Sequence, residues 1–275
     1  MGPGRGSRPP AGRDAKPTGP RADVRGLGGE QVEGRQAVRE LLAAGLRPVR
    51  EIWLTEGSDP AAILGEIDAL AREQKVPVRL VSPRRLESVQ ATETPQGVVA
   101  FATPLETRTL EELATQDAPE EGAFLVVLDG VTDPQNLGAV IRSAECAGAS
   151  GIVLPRHRAA HVTPAVTKAA AGAVEYIRFA LVAGVPSALQ QLGELAVTTV
   201  GLDERAEKSI FDLELGSGPI ALVLGAEGTG IAQLARRRCD VLAHVPLTGK
   251  IPSLNVAAAG AVACFEVARQ RAAHG

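Results

Sequence analysis

Short apolar runs alternate with helical patterns through the second half of the chain. The first run covers residues 124–128, and a helical spacing of apolar residues follows it. Further runs predict strands at residues 151–154, 196–200, 220–224 and 241–245. Continuously apolar strands between helices are typical of a parallel sheet that is covered on both faces. The pattern therefore predicts an α/β fold, in which ligands bind beyond the carboxyl ends of the strands.

The first half of the chain contains a smaller α/β unit, which we place at residues 30–105. Apolar residues recur with helical spacing over residues 34–42, and a second helix is predicted over residues 60–74. Strands are predicted at residues 50–54, 78–81 and 97–101. The acidic, polar residues 106–122 are interpreted as a linker with one short helix. Residues 123–275 then form the larger domain.

Residues 1–29 differ in composition from the rest of the chain. They are rich in glycine and proline, and their only acidic residues are Asp14 and Asp23. Their basic residues are Arg5, Arg8, Arg13, Lys16, Arg21 and Arg25. Because such a segment buries little apolar surface, we predict that it is disordered. It is either a basic arm that touches nucleic-acid phosphates or a solvated tail without a specific role.

Charge and composition narrow the class of protein further. The 275 residues carry a formal net charge of −3, so any nucleic-acid contact must come from local basic patches. The three cysteines form no C-x-x-C pair, and His157 and His161 have no further metal ligand beside them. We therefore expect no disulfide scaffold and no metal site. No apolar run approaches the ~20 residues that span a bilayer, and no secretory signal is present, which predicts a cytoplasmic protein.

The loop after the first strand of the larger domain is the first candidate for chemistry. It reads LDGVTDPQNLGAVIR and ends at Arg142. Asp133 before Pro134 is a good N-cap and first-turn pair for the next helix, although Asn136 is an alternative cap. Arg142 lies outside the buried stripe of that helix and can point towards a ligand. By spacing alone, a helix cap and a surface charge are the simpler interpretations of Asn136 and Arg142.

Two further loops follow later strands. The first, LGAEGTG, places three glycines around Glu227, and glycine lets a backbone approach a ligand closely. Its spacing is not G-x-G-x-x-G and no acidic residue follows about 20 positions later, so a dinucleotide site fits poorly. The second, HVPLTGKIPSLNV, leads into an alanine-rich helix that Ser253 or Asn255 can cap.

Taken in order, the three loops resemble the signature motifs of SpoU-type RNA 2′-O-methyltransferases. The patterns are D-x-V-x-D-P-x-N-L-G-A-x-x-R, L-G-x-E-G-x-G and I-P-M-x-G-x-x-x-S-L-N-V. Three motifs in order across one α/β domain are far more specific than any one of them. The departures are small: Val245 and Leu247 replace the usual Ile and Met, and Ala170 stands where relatives often have Ser.

The resemblance implies a SPOUT α/β domain with a parallel sheet and a deep trefoil knot, an exception to the rule against knots. The smaller unit is similar to the family's substrate-binding domain, itself like small RNA-binding ribosomal proteins, at EGRQAV and TPQGVVA. S-adenosylmethionine as methyl donor and a homodimer with its site near the subunit interface are implied as well. The two-domain layout is most similar to bacterial enzymes that methylate a guanosine in 23S rRNA.

The same resemblance implies which residues form the site. The catalytic residues are Asn136, Arg142, Glu227, Ser253 and Asn255, and the cofactor contacts are Gly225, Val245 and Leu254. We expect Asn136 and Asn255 to orient Arg142, the ribose or the cofactor. Glu227 is expected to hold its loop by accepting backbone N–H groups or a neighbouring donor. An arginine base has been proposed in the family, but guanidinium groups generally stay protonated, so we assign Arg142 to electrostatic stabilisation and phosphate positioning.

RNA must be held by local arginine patches. The candidates are Arg35 and Arg39 on the first helix, Arg84 and Arg85, and Arg156 and Arg158 after a predicted strand. A solvated surface charge is the alternative for each. The sequence thus predicts S-adenosylmethionine-dependent 2′-O-methylation of a guanosine in 23S rRNA. The alternatives are a tRNA 2′-O-methyltransferase and a non-catalytic RNA-binding assembly factor that keeps the fold.

Overall fold

Two α/β units follow one another along the chain, in the order that the hydrophobic pattern predicts. The structure, a computed structural model, describes residues 26–57, 62–157 and 161–274. The smaller unit contains a four-stranded sheet and the larger a seven-stranded one. A linker with one short π-helical segment, Glu112–Gln116, separates them.

The smaller unit packs helices on both faces of its sheet. Its elements are β1 (Gln31–Glu33), α1 (Arg35–Ala44), β2 (Val49–Thr55), α2 (Ala62–Glu73), β3 (Val78–Val81), α3 (Pro83–Glu87) and β4 (Val98–Ala102). The strand order is β1-β4-β2-β3, with only the β2–β3 pair parallel. The apolar stripe of α1 is buried with α2 on one face, because residues three and four apart share a side of a helix. On the other face, Leu86 of α3 packs with Trp53 and Val99.

The larger domain is built on a fully parallel sheet. Its elements are β5 (Phe124–Asp129), α4 (Pro134–Cys146), β6 (Gly151–Pro155), α5 (Pro164–Ala169), β7 (Arg178–Val182), α6 (Val185–Glu194), β8 (Thr198–Leu202), β9 (Lys208–Ser209), β10 (Ile220–Gly225), α7 (Gln233–Arg236), β11 (Val241–His244) and α8 (Val256–His274). The strand order is β7-β6-β5-β10-β8-β11-β9, and every neighbouring pair is parallel. Separate hydrophobic clusters cover the two faces, one with α4, α5 and α8 and the other with α6 and α7. The predicted α/β fold class is confirmed.

Three strands are absent from the sequence prediction, and one is displaced. β1 and β9 have three and two residues, too short for a periodic signal. β7 is an edge strand of the large sheet, and the prediction missed it entirely. β8 begins two residues later than predicted because Ala196, with a φ of 58°, belongs to the turn before the strand.

The chain is already folded at Leu27, within the stretch that the sequence assigns to the tail. Leu27 is 1 % exposed and belongs to the hydrophobic core of the larger domain. Gly28 bridges Val162 of that domain, and its carbonyl accepts from the N–H of Leu105 at 3.0 Å. Leu27 to Gly29 are therefore part of the folded protein, while residues 1–25 of the predicted tail lie outside the described residues.

A buried ion pair joins the two units. Arg47, which follows α1, forms a bidentate pair with Glu175 of the larger domain, with both N–O distances at 2.7 Å. The two side chains are 8 % and 2 % exposed. The same guanidinium donates to the carbonyl oxygens of Gly29, at 2.8 Å, and Thr103. One side chain thus links the two units and the segment that precedes β1.

We expect Arg47→Ala to lower the free energy of unfolding by about 3–5 kcal/mol, because Glu175 is left buried without its partner. The matched control is Arg72→Ala, which removes an ion pair whose arginine is 79 % exposed and which should cost less than about 1 kcal/mol. Urea unfolding of both variants measures the difference. Equal midpoints for the two would contradict a stabilising role for the buried pair.

Candidate active site

The three loops singled out in the sequence meet at the carboxyl edge of the large sheet. They follow β5, β10 and β11, and β5 and β10 are direct neighbours. A cleft of about 850 Å³ opens there, which we call the edge cleft; it is lined chiefly by the ends of β8 and β11 and by residues 224–233 and 252–256. Its volume lies within the range of about 300–1,000 Å³ that is usual for small-molecule sites.

The first loop leaves the side chain of Asn136 available for the site. Asp133 is the N-cap of α4, and its carboxylate accepts from the backbone N–H of Asn136 at 2.8 Å. Pro134 follows as the first helical residue, where its missing N–H costs nothing. The choice between two caps is therefore settled in favour of Asp133.

A chain of side-chain hydrogen bonds connects all three loops. The amide nitrogen of Asn255 donates to the amide oxygen of Asn136 at 2.9 Å, and the amide nitrogen of Asn136 donates to Glu227 at 3.2 Å. The amide oxygen of Asn255 accepts from the backbone N–H groups of Ala257 and Ala258, at 2.8 and 3.4 Å. Asn255 is thus both the cap of α8 and a member of the site. Since the cap occupies its oxygen, only its nitrogen can face Asn136, and this fixes the orientation of both amides.

The backbone conformation of the glycine loop is maintained without Glu227. Ala226 and Gly230 exchange two backbone hydrogen bonds, at 2.8 and 3.1 Å. The carboxylate of Asp129, at the end of β5, accepts from the N–H of Ala232 at 2.8 Å. Of the two roles expected for Glu227, the structure shows only the bond from a neighbouring donor, Asn136.

Gly225 is required by the chain itself. A Cβ at this position would lie 2.0 Å from the carbonyl carbon of Gly230 and 2.1 Å from the nitrogen of Ile231. Both atoms belong to the backbone and cannot rotate away. The glycine therefore lets the loop fold back directly over the end of β10, which shapes one wall of the edge cleft.

The three residues that the resemblance assigns to the cofactor all line the edge cleft, together with Ser253. Gly225 lies at the end of β10, Val245 follows β11, and Leu254 precedes α8 with 42 % of its surface exposed. Ser253 is exposed and forms no hydrogen bond with any described residue. The structure thus brings these four positions to one cavity from two separate loops.

Arg142 is the expected catalytic residue that lies outside both the hydrogen-bond network and the edge cleft. It is exposed on α4, does not line the edge cleft, and forms no hydrogen bond or ion pair with any described residue. Asn136 and Asn255 are bonded to each other and not to Arg142. The guanidinium is free to reach a substrate, but its expected orientation by the two asparagines is not observed.

Some of the arginines expected to bind RNA are paired with groups of the protein itself, and others are exposed to solvent. Arg39 is paired with Glu40 and Glu66, both at 2.6 Å, and the hydrogen bonds that it donates to these carboxylates, first to Glu66 and then to Glu40, raise its pKa. Arg35 donates to the carbonyl oxygen of Gln96 at 3.0 Å. Arg156 is exposed beyond β6, whereas Arg158 lies outside the described residues. Arg84 and Arg85 are exposed, and Arg85 lies over the ring of Trp53 at 5.2 Å.

Two polar residues of the edge cleft were not identified from the sequence. Asp203 directly follows β8, and His244 ends β11. The Nδ1 atom of His244 is buried and has no hydrogen-bond partner among the described residues. The sequence predicted that this strand ends at residue 200, whereas β8 extends to Leu202. Asp203 was therefore not recognised as a carboxylate at the end of a strand. A search of the first three residues after each predicted strand would have found Asp203, whereas His244 lies within its predicted strand and gave no such signal.

Two of the three cysteines, Cys239 and Cys264, lie in surroundings that disfavour the thiolate, whereas Cys146 is exposed. Burial raises the pKa of Cys239 and of Cys264 to about 12, which makes both thiols inert. Over the described ranges, no group of three or more His, Cys, Asp or Glu residues could hold a metal ion. In the same ranges, no helix is long and apolar enough to cross a membrane.

Comparisons with known proteins agree with the motifs. Residues 123–265 match the family model described as SpoU rRNA Methylase family, and residues 31–108 match that of RNA 2′-O ribose methyltransferase substrate binding. A 23S rRNA (guanosine-2′-O-)-methyltransferase of Pseudomonas putida is 39 % identical over 88 % of this chain and 97 % of its own length.

Solved structures share the fold. The SpoU methyltransferase AviRb from Streptomyces viridochromogenes superposes with a TM-score of 0.73 at 25 % identity, covering 89 % of this chain and 90 % of its own. An AdoMet-bound rRNA methyltransferase from Sinorhizobium meliloti gives 0.69 at 25 % identity, covering 87 % and 86 % of the two chains. With both domains matched and the three motif loops joined at one edge of the sheet, the chain belongs to the SpoU rRNA methylase family.

Proposed function

We propose that the protein transfers a methyl group from S-adenosylmethionine to the ribose 2′-oxygen of a guanosine in 23S rRNA. The observation that carries the proposal is the hydrogen-bond chain from Asn255 through Asn136 to Glu227, which unites the three motif loops beside a cleft. Membership of the family and the 39 % identity to a 23S rRNA methyltransferase support the substrate. A cytoplasmic location follows from the proposed substrate.

The edge cleft fits S-adenosylmethionine. Its apolar wall includes Val245 and Leu254, against which an adenine ring can pack. The buried Nδ1 of His244 lacks a partner among the described residues, and such an atom costs free energy until a ligand or water satisfies it. Gly225 lines the cleft and has no side chain, so a ligand at this position can contact the backbone.

Methyl transfer requires an in-line approach of the ribose oxygen and removal of its proton. The bound cofactor supplies the electrophilic methyl group. Asn255 is fixed by the N-terminus of α8, and Asn136 is fixed by its hydrogen bond from Asn255. The two amides are therefore rigid dipoles beside the cleft, and such dipoles need no reorganisation during the reaction. Glu227 is an acceptor held by Asn136. Arg142, free of partners among the described residues, is assigned to stabilising the alkoxide that develops as the 2′-hydroxyl loses its proton to solvent.

A homodimer is part of the proposal. Large apolar side chains lie exposed around the third loop and on α8: Ile251 is 72 %, Phe265 51 %, Leu254 42 % and Leu247 40 % exposed. Exposed apolar groups of this density are typical of interaction surfaces. A second copy that covers them would also border the edge cleft, in agreement with a site near the interface.

The proposed reaction is tested by transfer of tritiated methyl from S-adenosylmethionine to unmodified 23S rRNA and to bulk tRNA, followed by nucleoside analysis. We expect label in 2′-O-methylguanosine from 23S rRNA and none in a DNA duplex, which has no 2′-hydroxyl. Label from tRNA alone would contradict the substrate. Cofactor binding without label on either RNA would favour the non-catalytic alternative.

For Arg142→Ala we expect a rate about 10²-fold lower at every pH, with an unchanged log-linear rise, because an electrostatic group contributes no titration. Single-turnover rates measured from pH 6 to 10 give the profile (about four decades of hydroxide concentration). Arg237→Ala, which removes another exposed arginine, should leave rate and profile unchanged. An inflection in the wild-type profile that vanishes in Arg142→Ala would identify arginine as the base instead.

Two substitutions of Asn255 distinguish its contribution to stability from its contribution to catalysis. Asn255→Asp keeps an oxygen for the cap of α8 and should leave the free energy of unfolding within about 0.5 kcal/mol of wild type. It removes the donor to Asn136, so we expect kcat to fall about 10²-fold through misalignment of the site. Asn255→Ala should lose the same activity and about 1 kcal/mol of stability as well. A fully active Asn255→Asp would show that the amide chain does not matter for the reaction.

A further inference from the structure

We propose that Asp203 binds the vicinal 2′- and 3′-hydroxyl groups of the cofactor ribose, an assignment that rests on the proposed function. Asp203 immediately follows β8 and lines the edge cleft. Within the sheet, β8 lies between β10 and β11. The ends of those two strands carry Gly225 and Val245, the positions assigned to the cofactor.

The register of the sheet places Asp203 between the ends of β10 and β11. Leu202 is paired with Ala243 of β11, and Gly201 with Val223 of β10. The ladder to β11 continues one residue further, because the N–H of Asp203 donates to the carbonyl of Ala243 at 2.9 Å. The backbone of Asp203 is thus part of the sheet, and a ligand held at Gly225 and Val245 must pass over it.

The carboxylate of Asp203 is oriented before any ligand arrives. One oxygen accepts from the backbone N–H of Arg205 at 2.8 Å, and the other accepts from the Nε of Arg236. The side chain is 14 % exposed. A carboxylate has about four acceptor sites, so these two bonds leave acceptors for a ligand in the cleft. A fixed carboxylate with spare acceptors suits a pair of neighbouring hydroxyl donors.

The charges around Asp203 favour a neutral donor over a cation. S-adenosylmethionine offers two kinds of donor to a carboxylate, the ribose diol and the ammonium of its methionine part. Arg236 already neutralises Asp203, and an ammonium placed there would be repelled by the guanidinium. Hydroxyl groups meet no such repulsion. A carboxylate that follows a parallel strand and accepts from a ribose hydroxyl is also a known solution in other α/β nucleotide sites.

The test compares S-adenosylhomocysteine with its 2′-deoxy and 3′-deoxy analogues by isothermal titration calorimetry. We expect the full-length wild-type protein to bind each analogue about ten- to a hundredfold more weakly than the parent, the cost of a lost hydrogen bond to a charged group. Asp203→Ala should bind the parent about as weakly as the wild type binds the analogues. It should show no further loss with either analogue.

Glu207→Gln is the matched control, because it removes an exposed carboxylate four positions further along that does not line the edge cleft. It should bind the parent and analogues as the wild type does, and thermal melting should show that all variants are folded. Equal affinity of the wild type for parent and analogues would overturn the assignment without any mutation. Undiminished discrimination in Asp203→Ala would also overturn it. A wild-type protein that binds none of the three compounds would instead contradict the proposed function.

Discussion

The capping of α8 by Asn255 is the interaction on which the site depends. The oxygen of its amide satisfies the first N–H groups of a 19-residue helix, and its nitrogen is thereby directed to Asn136 and, through it, to Glu227. The opposite end of α8 is fixed as well, where Arg271 donates to the carbonyls of Gly122, Ala123 and Gly218. A helix held at both ends sets the position of a polar network at one of them.

Close backbone approaches make this arrangement sterically feasible. Gly225 allows its own loop to cross the end of β10, and Gly138 lets α5 lie against α4, since a Cβ there would be 2.4 Å from the Cβ of Ala169. Gly138 lies two residues after Asn136, so this crossing also positions the first loop. Interiors packed at this density tolerate no added methyl group without a shift of the backbone. Gly225 and Gly138 are therefore required by the packing of the fold, and they affect ligand binding by shaping the loops around the cleft.

Local patterns predicted most of the fold and the loops that carry the site. The buried strands and the motif loops are contiguous segments, so periodicity and spacing reveal them. Contacts between distant segments were not accessible in this way: the burial of Leu27 in the larger domain and the pairing of Arg47 with Glu175 leave no local signal. Asn255 is a further example. Its position in the sequence predicted a helix cap, but only the tertiary structure shows that the same amide also donates a hydrogen bond to Asn136. Arg39 is paired with two carboxylates and Arg142 with none among the described residues. This difference depends on which carboxylates the fold brings near each arginine, and a single sequence does not reveal that.

The proposed function requires that the edge cleft binds the methyl donor with its reacting end beside the hydrogen-bonded side chains of Asn255 and Asn136. A crystal structure of the protein with S-adenosylhomocysteine tests it most directly. We predict that the ligand contacts Gly225, Val245 and Leu254, with its sulfur on the side of Asn136. A ligand bound elsewhere, or one whose sulfur lies at the far end of the cleft from Asn136, would contradict it.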